Sequence, residues 1–296
     1  MSTKSDINKL LSGGRLSQSP SRSGEDPAVW YPDAHPTSWT TLRYAKWMAD
    51  GHNVTEDAFE ALRKVVMKDA TGSRSDGSAR VRPSLIGGCV RKQAISFLGL
   101  PATRKREGGS FAAAVAGTWG HYKWQVAGLS GGWFSAIEVG VSDEATGVAG
   151  QIDAICTDNA VFELKTVASV IYNGSPRFGP GVKKMPRTKD VMQVHAYMAA
   201  YGSDEARIVY EDRSSGDATE WTVQFSESLY ESLLETCDQV TSSTEARVPP
   251  PLEACKAKTG SDYKYCDWVD LCQPAGPEWD AERVPSTYPE KGEGNS

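Results

Sequence analysis

The sequence predicts an α/β fold with a central mixed β-sheet flanked by helices. Three observations predict it. Apolar residues repeat at helical spacing up to about residue 126, then alternate as strands between about 136 and 167. The resulting order is helix, helix, three strands, helix, strand pair, helix, which suits one sheet covered by helices. With 296 residues and 39% apolar content, the chain has material for one core plus polar extensions.

Residues 1–37 are rich in Ser, Gly and Pro and are expected to form a flexible arm. A helical pair with its linker is expected over 38–82. The first helix covers 38–49, with Trp39, Leu42, Ala45 and Met48 on one stripe. The second runs from Thr55 to about Lys68, with Glu56 and Asp57 in its first turn, and a polar linker occupies 71–82. The core is expected over 83–275. Ser84 is placed to cap a helix running through Cys89 to Leu98, and another covers Phe111 to Val126. Strands follow at 136–141, 148–156 and 161–167, with Asp158 and Asn159 turning between the last two. Asp190 opens a helix that Gly202 closes. Strands at 206–210 and 220–225 and a helix from Ser226, with Leu229, Leu233 and Val240 inward, complete the core. The charged segment 276–296 is expected to be a flexible tail.

Thirty-two basic and 38 acidic residues leave a net charge of −6, which weighs against coating nucleic acid by bulk charge. A local basic track remains open: Arg177, Lys183, Lys184, Arg187 and Lys189 fall in a stretch without acids, although alone such a run reads as a solvated loop. No apolar run approaches the ~18–20 residues of a membrane-spanning helix. The Ser- and Arg-rich start has no apolar signal core. A cytoplasmic protein without a membrane partner is expected.

The chemistry concentrates in Asp153, on one expected strand, and Glu163 and Lys165 on the next. Residues i and i+2 share a strand face, so Glu163 and Lys165 project together while Phe162 and Leu164 face the other way. Val161 and Val167 on the same face as Glu163 imply a half-buried cleft, where an acid needs a partner. Metal-assisted phosphodiester hydrolysis would use all three. Carboxylates hold Mg²⁺ or Mn²⁺, the ion activates water, and a lysine orients that water and offsets phosphate charge. The bland alternative is a charged surface hairpin. Register separates the two. A two-residue loop at Asp158–Asn159 would pair Asp153 with Leu164 and turn it to the wrong face, so the site needs an odd loop, such as 158–160, or a bulge.

This arrangement resembles the PD-(D/E)XK nuclease superfamily, particularly its RecB-like exonuclease branch. Gly117-Thr-Trp-Gly-His121 fits the branch's G-x-x-x-H helix motif, and Gln193-Val-His-Ala-Tyr197 fits its Q-x-x-x-Y motif. The resemblance covers about residues 84–272. It implies a restriction-endonuclease-like core and a Mg²⁺- or Mn²⁺-dependent DNA exonuclease acting on ends or single strands. His121, Asp153, Glu163 and the Leu164 carbonyl would be metal ligands. Lys165 would position water, with Gln193 and Tyr197 in support, and Lys183, Lys184 and Arg187 would track phosphates. Glu138 reads first as a strand-edge charge and is the reserve ligand should His121 not serve, and His195 lies off the Gln193 face and is not expected to be a ligand. Recombination, repair or phage replication, with recombination or CRISPR-like protein partners, is the implied setting in a bacterial, archaeal or phage-infected host cytoplasm. The rivals are a catalytically inactive DNA-binding or structural protein of the same fold and a sequence-specific endonuclease.

Six cysteines occur, three of them within 18 residues near the C-terminus, and in a cytosolic chain such clusters point to metal before disulfide. Cys89, Cys255, Cys266 and Cys272 resemble the [4Fe–4S] ligands of the iron–sulfur subset of the RecB-like nucleases. The C-terminal spacing departs from that subset's C-x2-C-x5-C, with Tyr263 where the middle spacing would put a cysteine. Zn²⁺ is the competing metal. Cys156 and Cys237 fall at core positions.

Overall fold

The computed structural model describes residues 34–70, 81–98, 108–144, 146–176, 179–246, 248, 250 and 266–268. A six-stranded mixed sheet is ordered β1-β8-β7-β4-β3-β2. Its strands are β1 (Ala34–Thr37), β2 (Phe134–Asp143), β3 (Val148–Cys156), β4 (Val161–Val167), β7 (Glu205–Asp212) and β8 (Ala218–Gln224). Only β4 and β7 are parallel; the other neighbours are antiparallel. A two-stranded hairpin, β5 (Gly174–Ser175) with β6 (Gly179–Pro180), stands apart from it. The helices are α1 (Trp39–Ala49), α2 (Glu56–Ala70), α3 (Val90–Phe97), α4 (Gly108–Ser130), α5 (Ser169–Asn173), α6 (Thr188–Tyr201) and α7 (Glu227–Glu245). This is the helix-flanked mixed sheet that the apolar periodicity predicts.

Two apolar clusters organise the sheet. On the Phe162 and Leu164 side, Trp124 and Ala127 of α4 pack with Phe134, Ala154 and Val209. The Phe134 and Phe162 rings lie 4.6 Å apart, and Tyr44 of α1 stacks on Trp124 at 4.1 Å. The second cluster joins Met192 and Ala196 of α6 to Leu233, Cys237 and Val240 of α7, with Val81, Ile86 and Val148. Cys156 and Cys237 are both buried in these clusters.

Several boundaries differ from the sequence expectation. Ala34–Thr37, assigned to the arm, form an edge strand on β8, and the rest of the 1–37 segment lies outside the described residues. The helices assigned to a separate pair pack into the core: Trp39, Tyr44 and Trp47 lie against the aromatic cluster. Buried Glu220 of β8 fixes this docking, because its carboxylate accepts the Thr40 amide at 2.8 Å and the Thr41 amide at 2.8 Å. Those are orphan donors of the first turn of α1, and the carboxylate also suits the helix's positive end. Val81, placed in the polar linker, is buried and bridges to Val148. Ser84 does not cap a long helix. A 3₁₀ turn spans Pro83–Leu85, Gly87 follows at φ +79°, and α3 starts only at Val90 with Cys89 at its N-cap. A Cβ on Gly87 would lie 2.8 Å from the Lys189 Cα, so a left-handed glycine turn lets this segment meet the start of α6. The tail 276–296 lies outside the described residues.

Replacing Glu220 by Ala should destabilise the fold by about 1–3 kcal/mol, the cost of leaving buried amide donors unpaired. Urea unfolding measures this, and limited proteolysis should cut first around α1. Unchanged stability would mean that α1 is not anchored through Glu220.

Candidate active site

The β3–β4 turn decides the register. The Cys156 amide donates to the Ala160 carbonyl at 2.9 Å and the Asn159 amide to the Cys156 carbonyl at 2.9 Å, closing a loop over 157–159. Asn159, at φ +70°, supplies the left-handed residue such a turn uses. The loop has an odd length, one residue earlier than the 158–160 considered from sequence. Pairing Ala154 with Phe162 and Ile155 with Val161 places Asp153 opposite Glu163. The two carboxylates therefore belong to one face.

Beyond Ala154 and Phe162 the two strands part. The Leu164 amide, which the ladder would next present to Ile152, donates instead to Asp153 Oδ2 at 2.7 Å. In an extended strand the N–H and C=O of one residue point the same way, so the Leu164 carbonyl faces this gap as well. β2 also distorts here. Its register with β3 sets Glu138 opposite Asp153 without pairing it, and Glu138 takes a left-handed φ of +51°, costly for a glutamate. Gln125 of α4 bridges the distortion, donating to Glu138 Oε1 at 2.5 Å and to the Asp153 carbonyl at 3.1 Å.

Helices from both sides of the sheet reach the gap. His121 of α4 places Nδ1 3.1 Å from Asp153 Oδ1. It gets there because α4 lies close on β4: a Cβ on Gly120 would fall 2.6 Å from Thr166 Cγ2, while one on Gly117 would sit at an ordinary 3.5 Å from Thr166 Oγ1. The G-x-x-x-H motif thus points to the less critical glycine. From α6, Gln193 Nε2 donates to Glu163 Oε1 at 2.9 Å and Gln193 Oε1 accepts Lys165 Nζ at 2.8 Å. Lys165 Nζ also donates to Glu163 Oε1 at 2.5 Å, and the Tyr197 hydroxyl lies 3.4 Å from Gln193 Nε2. Gly150 makes room for that tyrosine, since a Cβ there would lie 3.0 Å from Tyr197 Cε1.

The electrostatics split the two acids. Burial raises both, but the His121 charge and hydrogen bond, with the Leu164 amide, outweigh it and hold Asp153 below the usual carboxylate range. Burial and the Asp153 charge push Glu163 up to about 7 despite Lys165. Burial opposes the His121 charge, yet Asp153 drives its pKa up to about 9. Burial and the neighbouring Asp153 raise Glu138. Glu163 Oε2 is buried without a hydrogen-bond partner among the described residues.

The structure brings together His121, Asp153, Glu163, Leu164, Lys165, Gln193 and Tyr197. Among the described residues no three His, Cys, Asp or Glu side chains are arranged around one point as a metal site. Asp153 is engaged by His121 and Leu164, and one Glu163 oxygen by Lys165 and Gln193. The donor types nevertheless suit a hard divalent ion, and Glu163 Oε2 is an acceptor that no described residue uses. His195 is buried elsewhere, its Nε2 accepting the Ser226 amide at 3.2 Å. In the basic stretch Lys183 and Lys184 are exposed, while Arg187 pairs with buried Asp190 at 2.6 Å. Sequence reasoning missed Asp190 and Gln125; their i, i+3 and i, i+4 spacing to Gln193 and His121 was the available signal. Of the four cysteines expected as metal ligands, Cys89 and Cys266 are half-buried, and Cys255 and Cys272 lie outside the described residues. No described helix is long and apolar enough to cross a membrane.

No family model matches the sequence, and no curated protein matches it. Among solved structures, a protein designated SSO0001 is similar at 15% identity and a TM-score of 0.46, over 75% of this chain and 95% of that one. An alkaline exonuclease from Laribacter hongkongensis, LHK-Exo, is similar at 16% identity and 0.41, over 57% of this chain and 89% of that one. LHK-Exo in complex with dAMP is similar at 16% identity and 0.37, over 58% and 90%. Likeness at this level decides nothing about activity.

The two glycines of α4 offer a direct check on how His121 is delivered. Gly120→Val should cost about 1–3 kcal/mol through overpacking against Thr166. Gly117→Ala should be neutral or stabilise by up to about 1 kcal/mol, as alanine does in a helix. Equal effects in urea unfolding would contradict the close approach at Gly120.

Proposed function

We propose that this protein is a metal-dependent deoxyribonuclease hydrolysing phosphodiester bonds at DNA ends or in single strands. The observation that carries the proposal is Glu163, a buried carboxylate with one oxygen held by Lys165 and Gln193 and the other unpartnered, facing the same gap as Asp153. A purely structural role would leave a charge buried beside a second acid with half its acceptor capacity unused, which is costly. Asp153, Glu163, His121 and the Leu164 carbonyl would hold Mg²⁺ or Mn²⁺. Such an ion, when bound, polarises the phosphate and acidifies an attacking water.

The chain's own groups supply the rest. Lys165 presents an ammonium beside Glu163 to orient water and offset charge on the phosphate. Gln193 fixes that ammonium with its carbonyl while its amide fixes Glu163, so one side chain sets the distance between lysine and acid. Tyr197 stands behind Gln193. DNA as substrate, exonuclease action and a setting in recombination, repair or phage replication rest on the sequence motifs and their resemblance to the RecB-like branch. Lys183 and Lys184 are the solvent-facing part of the phosphate track. Cys89, Cys255, Cys266 and Cys272 are proposed as thiolate ligands of a [4Fe–4S] cluster, with Zn²⁺ as the competitor.

With end-labelled DNA and Mg²⁺ or Mn²⁺, Asp153→Ala and Lys165→Ala should each lower cleavage by about 100- to 10,000-fold. Lys165→Ala should remain folded by circular dichroism, and the Asp153→Ala rate is read on its folded fraction, because that change also removes the acceptor of the Leu164 amide. Wild-type rates in Asp153→Ala would remove the site assignment, and a wild type that binds but never cleaves would favour the inactive relative. For the cysteines, protein purified anaerobically should be coloured and contain iron, and Cys272→Ser should lose both. A colourless, iron-free preparation would favour zinc or no metal there.

A further inference from the structure

Asp190 and Tyr210, which adjoin Lys165, have no part in the chemistry above, and both hold Arg187, so far grouped with the loop lysines. Asp190, 2% exposed, accepts the Tyr210 hydroxyl at 2.7 Å and Arg187 Nε at 2.6 Å on the same oxygen. The Tyr210 hydroxyl accepts the Arg187 backbone amide at 3.1 Å, and the guanidinium lies 5.7 Å from the Tyr210 ring centre. Arg187 is thus tied at its backbone and its Nε and lies beside an aromatic ring. Besides Asp190 and Tyr210 its guanidinium has no hydrogen-bond partner among the described residues, and its side chain is 33% exposed. The result is an immobilised guanidinium, held by Asp190 and Tyr210, with a third of the side chain exposed.

Its place in the fold is the second observation. Tyr210 pairs with Lys165 across β4 and β7, so the two share a sheet face. Asp190 stands one helical turn before Gln193, which holds Lys165. Tyr210 and Asp190, the two groups that hold Arg187, therefore adjoin Lys165 from strand and helix. A loop arginine that only met solvent would need no buried carboxylate behind it, and burying Asp190 is costly without such a partner.

We propose that Arg187 is a phosphate-binding residue of the site itself, distinct from the exposed loop lysines, and that Asp190 and Tyr210 are its positioning residues. Its remaining N–H groups take two non-bridging oxygens of one backbone phosphate in the bidentate geometry that a guanidinium allows and an ammonium does not. The nucleic-acid strand as bearer of that phosphate rests on the nuclease reading; the fork and its anchors do not.

The test is binding without turnover. A fluorescein-labelled single-stranded DNA oligonucleotide is titrated into the full chain in EDTA, by anisotropy, at several salt concentrations. Arg187→Ala should weaken binding about tenfold or more and reduce the salt slope by about 1. Arg187→Lys, which keeps the charge and can keep the Asp190 pair, should remain several-fold weaker than wild type. Asp190→Asn and Tyr210→Phe should give intermediate losses. Wild-type affinity and slope in Arg187→Ala, or full rescue by Arg187→Lys, would overturn the proposal, and Arg187→Lys keeps that test valid if the Asp190 variant fails to fold. Arg187-dependent binding in a wild type that cleaves nothing with Mg²⁺ or Mn²⁺ would support the phosphate fork while ending the nuclease reading. Cleavage by wild type with Arg187-independent binding would do the reverse.

Discussion

The arrangement of the site depends on the hydrogen bond from the Leu164 amide to Asp153 Oδ2. A backbone amide inside a sheet needs an acceptor, and β4 would ordinarily find one on β3. Asp153 supplies a side-chain oxygen in place of the ladder carbonyl, so the strands can separate without orphaning that donor. The same separation leaves the Leu164 carbonyl facing the opening and lets groups from both sides of the sheet meet there. A nonpolar residue at 153 would leave this amide without its acceptor. The aspartate is therefore structural and chemical at once, and its loss should be judged by folding as well as by rate.

Packing delivers what the gap receives. The aromatic cluster of Trp124, Phe134 and Phe162, with Tyr44 from α1, clamps α4 against one side of the sheet, and Gly120 removes the Cβ that would push it away. His121 follows from that clamp. On the other side Gln193 and Asp190, one turn apart on α6, bind Lys165 and the Tyr210 hydroxyl respectively. Helix α1, outside the span of the recognised motifs, thus contributes to the layer that sets the histidine.

Much of this was legible in the sequence. The strands around Asp153 and Glu163 were visible as short apolar runs bounded by the turn residues Asp158 and Asn159, and the α6 helix because Val191, Val194 and Met198 repeat at helical spacing. What was not legible depends on long-range partners. The 34–37 strand has no apolar alternation of its own and exists through β8. The docking of α1 depends on Glu220, 180 residues away from Thr40. The parity of the 157–159 loop could be posed as a question but not answered, since Asn159 tolerates the left-handed conformation in loops of either length. Asp190 was seen only as a helix start, because nothing local shows that its carboxylate is buried against Tyr210.

The pairing pattern also explains why these acids can coexist in a closed space. Asp153 stays ionised because His121 and an amide serve it, while Glu163 accepts Lys165 and Gln193 through one oxygen only and is driven up to about 7 by burial and by Asp153. Two carboxylates on one face would otherwise repel, and the fold separates them by assigning each its own cation from opposite sides of the sheet. A divalent ion is a single group able to satisfy both acids at once and to use the leftover Glu163 oxygen. Each acid is served separately, Asp153 by His121 and the Leu164 amide and Glu163 by Lys165 and Gln193. The histidine and the lysine thus let two acids stand side by side in a space that would otherwise force one of them to give up its charge.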